Sequence, residues 1–211
     1  MHIDSQFDSG NIEVLEILDG NCANLRIRKD AGDEHMQWFY FRVDGARDEG
    51  CTFRILNAGD ASFPRAWDGY RVCTSVDRQT WTRVDTQFKD GVLSIEHQPE
   101  GQMQWYAYFA PHTHEQHLEL LSECQLSEMV TVDRLGATVD GRDLHRLIVG
   151  EGSLQFWIIA RQHPGESMAS WWMEGFLDRL LDPDDAISRR LRERATIHIV
   201  PHMNPDGAIR G

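Results

Sequence analysis

The sequence predicts two folded parts in series: an all-β sandwich over residues 1–111, then an α/β domain of mixed sheet with flanking helices over residues 112–211. Three observations carry this prediction. Short β-type runs follow one another from Ile12 to Ala110 with turn residues between them. Helical periodicity is first met after Pro111. A short apolar run at 154–160 then stops at His163-Pro164-Gly165-Glu166 and hands over to a helical pattern.

With 211 residues, 24.3 kDa and 41% hydrophobic residues, the chain has the material for a real core. A net charge of -13 repels polyphosphate and anionic membranes, so neither nucleic acid nor a membrane surface is an expected partner. Residues 1–10 lack the positive start and apolar core of a signal peptide, and no apolar run is long enough to span a bilayer. A cytoplasmic location is therefore expected. Cys22, Cys51, Cys73 and Cys124 are scattered, with no Cys-x-x-Cys pair, and read as reduced and structural.

In the first part the β-type runs are 12–18, 23–29, 37–43, 51–56, 70–76, 80–86, 92–97 and 104–110, punctuated by Asp-Gly and Pro-Glu-Gly turns. About eight alternating runs of this kind make an antiparallel sandwich. No internal repeat of 20–50 residues is visible. The strand aromatics (Trp38, Tyr40, Trp67, Tyr70, Trp81, Trp105, Tyr106, Tyr108) open a non-catalytic reading in which the sandwich recognises a protein or glycan, although strand aromatics usually pack a core.

After Pro111, residues 114–125 read as a helix with Thr113 as N-cap and Leu118, Leu121 and Cys124 on one face. The neighbouring His112, His114 and His117 are expected to cap, hydrogen-bond or face solvent rather than hold a metal. Residues 129–136, 137–150 and 154–161 read as successive strands, with Asp140-Gly141 at a hairpin turn. The near-continuous apolar run 154–160 reads as a strand buried on both faces, the kind found in parallel sheets. Residues 167–181 carry a helical stripe of Met168, Trp171, Trp172, Phe176, Leu177 and Leu180. Asp182-Pro183 ends it. A short basic helix with a solvated face follows at 186–194, then a strand at 195–200 that runs into a structural Asn-Pro-Asp-Gly turn at 204–207. If the strands at 154–160 and 195–200 are neighbours, both loops open at the carboxyl end of the sheet, where open α/β sheets place their ligands.

An imidazole nitrogen and a carboxylate brought together by one tight turn can supply two of the three protein ligands of a catalytic zinc site, and His163 and Glu166 are placed to do so. The spacing alone is unspecific, because His-x-x-Glu also occurs at His97/Glu100 and His112/Glu115. Only the copy at His163 follows a buried-type strand.

His163-Pro164-Gly165-Glu166, followed by a helix and by a strand ending in Met203-Asn204-Pro205-Asp206-Gly207, resembles the zinc metallocarboxypeptidases, and specifically their cytosolic carboxypeptidase branch. Residues 67–86 and 105–111 resemble the β-sandwich that precedes the peptidase domain in that branch, and residues 135–150 resemble the opening strands of the peptidase domain. The branch often has Tyr residues after the position of Pro111, where His112 and His114 stand here. The resemblance implies an exopeptidase that removes a C-terminal residue from peptides or proteins, acidic glutamate tails among them, using one zinc ion with His163 and Glu166 as ligands. It further implies that the third zinc ligand (a His), the arginines that grip the substrate carboxylate and the Glu general base lie beyond Gly211. The 211 residues are therefore expected to be the N-terminal portion of a longer polypeptide. An aspartoacylase-like zinc amidohydrolase shares a His-x-x-Glu turn, but the long sandwich before the site disfavours it. None of these features sets an oligomeric state.

Overall fold

Alternation of side chains along short strands decides the architecture of the first part of the chain. The computed structural model describes residues 1–18 and 21–211, which form two units: Met1–Pro111 with Arg210–Gly211, and His112–Ile209. In the first unit the strands are β1 (His2–Asp4), β2 (Glu13–Leu18), β3 (Cys22–Arg26), β4 (Tyr40–Asp44), β5 (Cys51–Ile55), β6 (Cys73–Ser75), β7 (Thr82–Arg83), β8 (Thr86–Lys89), β9 (Val92–His97) and β10 (Met103–Ala107). They make two five-stranded sheets, ordered β1-β4-β10-β6-β7 and β2-β3-β5-β9-β8.

The inward positions of both sheets share one core. Phe41 and Tyr106 of the first sheet meet Phe53 of the second, with ring centroids 5.7 and 5.0 Å from Phe53, and all three are fully buried. The expectation of an antiparallel sandwich needs one correction, because β3 and β5 run parallel. The connection between them passes through β4 of the opposite sheet, so the chain returns to β3 in the same direction. The strand aromatics pack the core, as strand aromatics usually do. Trp38, Tyr40, Trp67, Tyr106 and Tyr108 are buried in the core, Tyr70, Trp81 and Trp105 pack against it, and the Trp67 indole N–H donates to the Ala58 carbonyl at 2.8 Å. The four cysteines are unbridged.

The second unit contains α1 (His114–Cys124), β11 (Val130–Ala137), β12 (Asp143–Val149), β13 (Leu154–Ile159), α2 (Met168–Leu181), α3 (Ala186–Arg194), β14 (Ala195–Val200) and α4 (Pro205–Arg210). Its sheet is mixed, ordered β11-β12-β14-β13, with the β11–β12 hairpin antiparallel and β13 parallel to β14. Thr113 caps α1 in a reciprocal capping box with Gln116. Leu147, Val149, Ile197 and Ile199 of the sheet pack with Leu120, Leu121, Met173, Leu177 and Leu180 of the helices. Gly152 has no room for a side chain, since a Cβ there would stand 1.7 Å from the Arg194 carbonyl carbon. No helix among the described residues is long and apolar enough to cross a membrane.

Four local expectations change. β13 is a strand and is parallel to its neighbour, but it lies at the sheet edge, so Leu154, Phe156, Trp157 and Ile159 are 47–60% exposed rather than buried on both faces. On α2 the buried face runs Ser170, Met173, Leu177, Leu180, which leaves Met168 and Trp172 outside; Trp172 stacks on Phe176 one turn away, 5.0 Å between centroids. The turn at 204–207 is instead the start of α4, with the Asn204 side chain accepting from the Gly207 N–H at 3.0 Å and Pro205 in the first turn. Finally, His112 takes one of the expected roles, a hydrogen bond to Glu174, but it and His117 are buried, together with His202, and do not face solvent.

Asp206, in the first turn of α4, ties that helix to the β11–β12 hairpin. Its carboxylate accepts from Thr138 Oγ1 (2.8 Å), the Asp140 N–H (3.0 Å) and Arg142 Nη1 (2.7 Å). Replacing Asp206 by Ala removes all three bonds, so urea unfolding of the D206A variant is expected to show a loss of about 2–3 kcal/mol. A loss under about 0.5 kcal/mol would mean that water replaces the carboxylate without cost.

The buried histidines give the second unit a pH dependence. Burial pushes His117 down to about 3 and His202 to about 2, the next contributions being His114 for the former and the Arg161 cation for the latter. Both are neutral in the folded state, whereas in the unfolded chain they take up protons below about pH 6.5. The unfolded state thus binds more protons as pH falls, and stability present above about pH 6.5 is lost on descending towards 3, at about 1.4 kcal/mol per pH unit for each histidine. Denaturant melts between about pH 6.5 and pH 5, above most carboxylate titration, should show this slope, and His202→Leu should reduce it. A flat profile in both proteins would rule the assignment out.

Candidate metal-binding turn

The site is set up by the parallel register of β13 and β14, in which Ile158 pairs with Ile199 and Ile159 with Val200. Both strands end at the same edge, and the chain laces their exits together: the Ala160 N–H donates to the Val200 carbonyl (3.1 Å) and the Met203 N–H to the Ala160 carbonyl (3.0 Å). The two polar loops therefore stand side by side, as the sequence pattern requires of neighbouring strands. Gly207 makes their contact close. A Cβ on it would lie 2.8 Å from Pro164 Cγ, so only glycine lets the first turn of α4 rest on the 163–166 turn.

Arg161 starts the turn with φ +51°, a left-handed conformation uncommon for a residue with a side chain. His163 and Glu166 are the first and last residues of a four-residue turn closed by Glu166 N–H to His163 carbonyl, 3.1 Å, with Pro164 and Gly165 at its corner. Hydrogen bonds from the Ala169 N–H to the Glu166 carbonyl and from the Ser170 N–H to the Ser167 carbonyl then open α2. This geometry brings the two predicted side chains together: His163 Nδ1 lies 3.0 Å from Glu166 Oε2, and both side chains face solvent, 70% and 57% exposed.

The other two His-x-x-Glu copies are engaged elsewhere. His97 Nδ1 meets the Tyr106 hydroxyl at 2.8 Å, and His112 Nε2 meets Glu174 rather than Glu115, also at 2.8 Å. Burial pushes His112 down, against the pull of Glu174.

One imidazole nitrogen and one carboxylate oxygen, unencumbered by buried partners, form a donor set that suits zinc. Two ligand atoms each about 2.1 Å from a tetrahedral ion stand about 3.4 Å apart, so the pair at 3.0 Å needs to open by only a few tenths of an ångström. Among the described residues no group of three His, Cys, Asp or Glu is spaced to hold a metal ion.

Beneath the turn lies a residue that the sequence pattern passed over. Arg161 is buried, its Nε donating to the Pro164 carbonyl (2.7 Å) and its Nη1 to Ser170 Oγ (3.1 Å) and the His112 carbonyl (3.4 Å). Burial lowers its guanidinium to about 10. An arginine directly after an apolar strand was the available signal, but an end-of-strand cation is ordinarily taken as solvated.

Comparison with known proteins places these observations in a family. The sequence profile of the cytosolic carboxypeptidase N-terminal domain matches residues 3–109, and that of zinc carboxypeptidases matches residues 114–211. An uncharacterised protein of Zymomonas mobilis is 44% identical over 211 residues, covering all of this chain and 55% of its own length. A crystal structure of a candidate carboxypeptidase A from Shewanella denitrificans superposes with a TM-score of 0.97 at 45% identity, over all of this chain and 57% of that one. A metallo-carboxypeptidase from Pseudomonas aeruginosa, solved with (2-guanidinoethylmercapto)succinic acid, superposes with a TM-score of 0.95 at 41% identity, over 100% and 57% of the two chains. The chain thus spans little more than half the length of these relatives. With an N-terminal sandwich of the cytosolic carboxypeptidase type and the first strands and helices of a peptidase domain behind it, this chain belongs to the zinc carboxypeptidase family, in its cytosolic carboxypeptidase branch.

Proposed function

We propose that the protein to which these residues belong is a zinc-dependent carboxypeptidase that hydrolyses the C-terminal peptide bond of peptides or proteins, in the cytoplasm, and that His163 and Glu166 are two of the ligands of its single zinc ion. The observation that carries this is the 3.0 Å pairing of His163 Nδ1 with Glu166 Oε2 on an exposed turn at the carboxyl end of β13, in a chain of this family. Residues 1–111 are proposed as the sandwich domain and residues 112–211 as the first portion of the peptidase domain. The third ligand, the arginines for the substrate carboxylate and the general base are assigned, in this proposal, to residues beyond Gly211.

Zinc, when bound, supplies a Lewis acid for the scissile carbonyl and lowers the pKa of water. The residues of this chain hold and aim it. His163 offers Nδ1, and an acceptor on its other ring nitrogen fixes the tautomer. Glu166 offers a carboxylate from the last position of the same turn, so one hydrogen-bonded loop sets the separation of both donors. Acidic, glutamate-ended tails are the substrate class that the branch resemblance implies. Arg161 does not read them, because its guanidinium is buried and already bonded to Pro164, His112 and Ser170; selectivity for acidic tails needs other cations.

Replacing both His163 and Glu166 by Ala in the natural full-length polypeptide should abolish zinc retention after dialysis while the sandwich keeps its cooperative unfolding transition. Stoichiometric zinc in that double variant would sink the ligand assignment. The 211 residues alone should bind zinc at least about tenfold more weakly than the full polypeptide, because two ligands do not close a site. Peptides ending in glutamate should be shortened from the C-terminus by the full polypeptide, with trimming stopped by a chelator and restored by zinc. Trimming indifferent to the chelator would refute zinc dependence, and trimming only of neutral or basic ends would refute the acidic-tail reading.

A further inference from the structure

We infer that Arg161 is a positioning residue for the His163–Glu166 pair, fixing through the Pro164 carbonyl the turn on which both side chains stand; the inference rests on the zinc reading above. A turn with proline and glycine at its two central positions favours the form in which the glycine has positive φ. Gly165 does not have it. The two turn forms differ by a flip of the peptide between the central residues, which reverses the Pro164 carbonyl. Here that carbonyl accepts a 2.7 Å bond from Arg161 Nε. The guanidinium therefore holds the peptide in the orientation that the Pro-Gly sequence does not itself select, and with it the relative placement of residues 163 and 166.

Burial makes this grip rigid. The Arg161 side chain is fully enclosed, and its partners are neutral: two backbone carbonyls and a hydroxyl. They belong to three different segments, namely the turn (Pro164), the residue ahead of the α1 cap (His112) and the first turn of α2 (Ser170). A guanidinium reaches all three because its donors diverge from a planar fork, which the single nitrogen of a lysine does not reproduce. The same residue also reverses the chain, at φ +51°. Backbone and side chain of Arg161 thus act on one turn, the first by directing it out of β13 and the second by returning to clamp it three residues later.

The experiment compares Arg161→Lys, Ser170→Ala and His163→Ala with the unaltered full-length polypeptide. Three quantities are read: zinc affinity by chelator competition, the visible absorption of the cobalt-substituted protein, and the melting temperature without metal. R161K should lose about ten- to a hundredfold in zinc affinity, the range for residues that orient metal ligands, and should alter the cobalt bands, which a merely structural role would leave in place. A folded R161K with unaltered affinity and cobalt spectrum overturns the inference, as does a loss of affinity with the cobalt bands unchanged. Should R161K fail to fold, S170A is read by the same criteria with a several-fold loss expected, because it frees one end of the clamp. Zinc retained by H163A marks failure of the zinc reading itself, and is thereby distinguished from failure of the clamp.

Discussion

The parallel pairing of β13 with β14 is the constraint on which the rest of the second unit depends. Parallel strands need a crossover, and here it runs through α2 and α3, with the buried face of α2 packed on the sheet. Parallel direction also brings two strand exits to one edge, which no hairpin could do. The backbone bonds among Ala160, Val200 and Met203 then set the exits at hydrogen-bonding distance, and Gly207 lets α4 close onto Pro164. A displacement of one strand relative to the other by a single residue would separate the loops and reverse the faces of every side chain. The site is therefore specified by sheet register first and by side-chain chemistry second.

Register explains position but not the electrostatic character of the interior beneath the turn. A buried cation, Arg161, lies among His112, His117 and His202, and it contributes to lowering all three. Desolvation is the larger cause in each case. The two effects reinforce one another: a second positive charge in that interior is opposed both by the missing water and by the guanidinium. Only His112 has an anionic partner, Glu174, pulling the other way. The one buried guanidinium is directed at the Pro164 and His112 carbonyls and at Ser170 Oγ.

Most strands of both units were legible because alternation and turn residues are local signals, and Val92–His97 was read to the residue. The misses share one physical character. The run 154–160 correctly announces a parallel strand, yet its exposure follows from sheet order, which no residue within the run encodes. The same holds for β3 and β5, whose parallel pairing depends on where β4 goes in between. On α2 the aromatic weight of Trp171, Trp172 and Phe176 drew the stripe to one side, whereas the smaller Ser170 and the flexible Met173 face the sheet. By contrast, α4 had a readable local signal, Asn-Pro-Asp as cap, first helical residue and acidic first turn. Its shortness and its glycine favoured a turn reading. Around the turn, the pairing of His163 with Glu166 was legible from their spacing, while the role of Arg161 beneath them was not, because burial of a charge is a tertiary fact.

Ligand atoms that must meet both a metal and a substrate have to stand in the open, so they lack the packing that holds a core side chain in one rotamer. The His163 and Glu166 side chains, the proposed ligands, do stand in the open. Their order must then come from below, from groups that never touch substrate. Three such supports converge on the turn: the laced exits of β13 and β14, the close approach permitted by Gly207, and the Arg161 bond to Pro164. Each acts on backbone rather than on the ligand side chains. Fixing the backbone of a four-residue turn fixes the origins of both side chains at once, so the separation of His163 Nδ1 from Glu166 Oε2 varies only with their own torsions. This division, exposed side chains on a buried and hydrogen-bonded frame, is what so small a motif needs in order to act as the proposed pair of ligands.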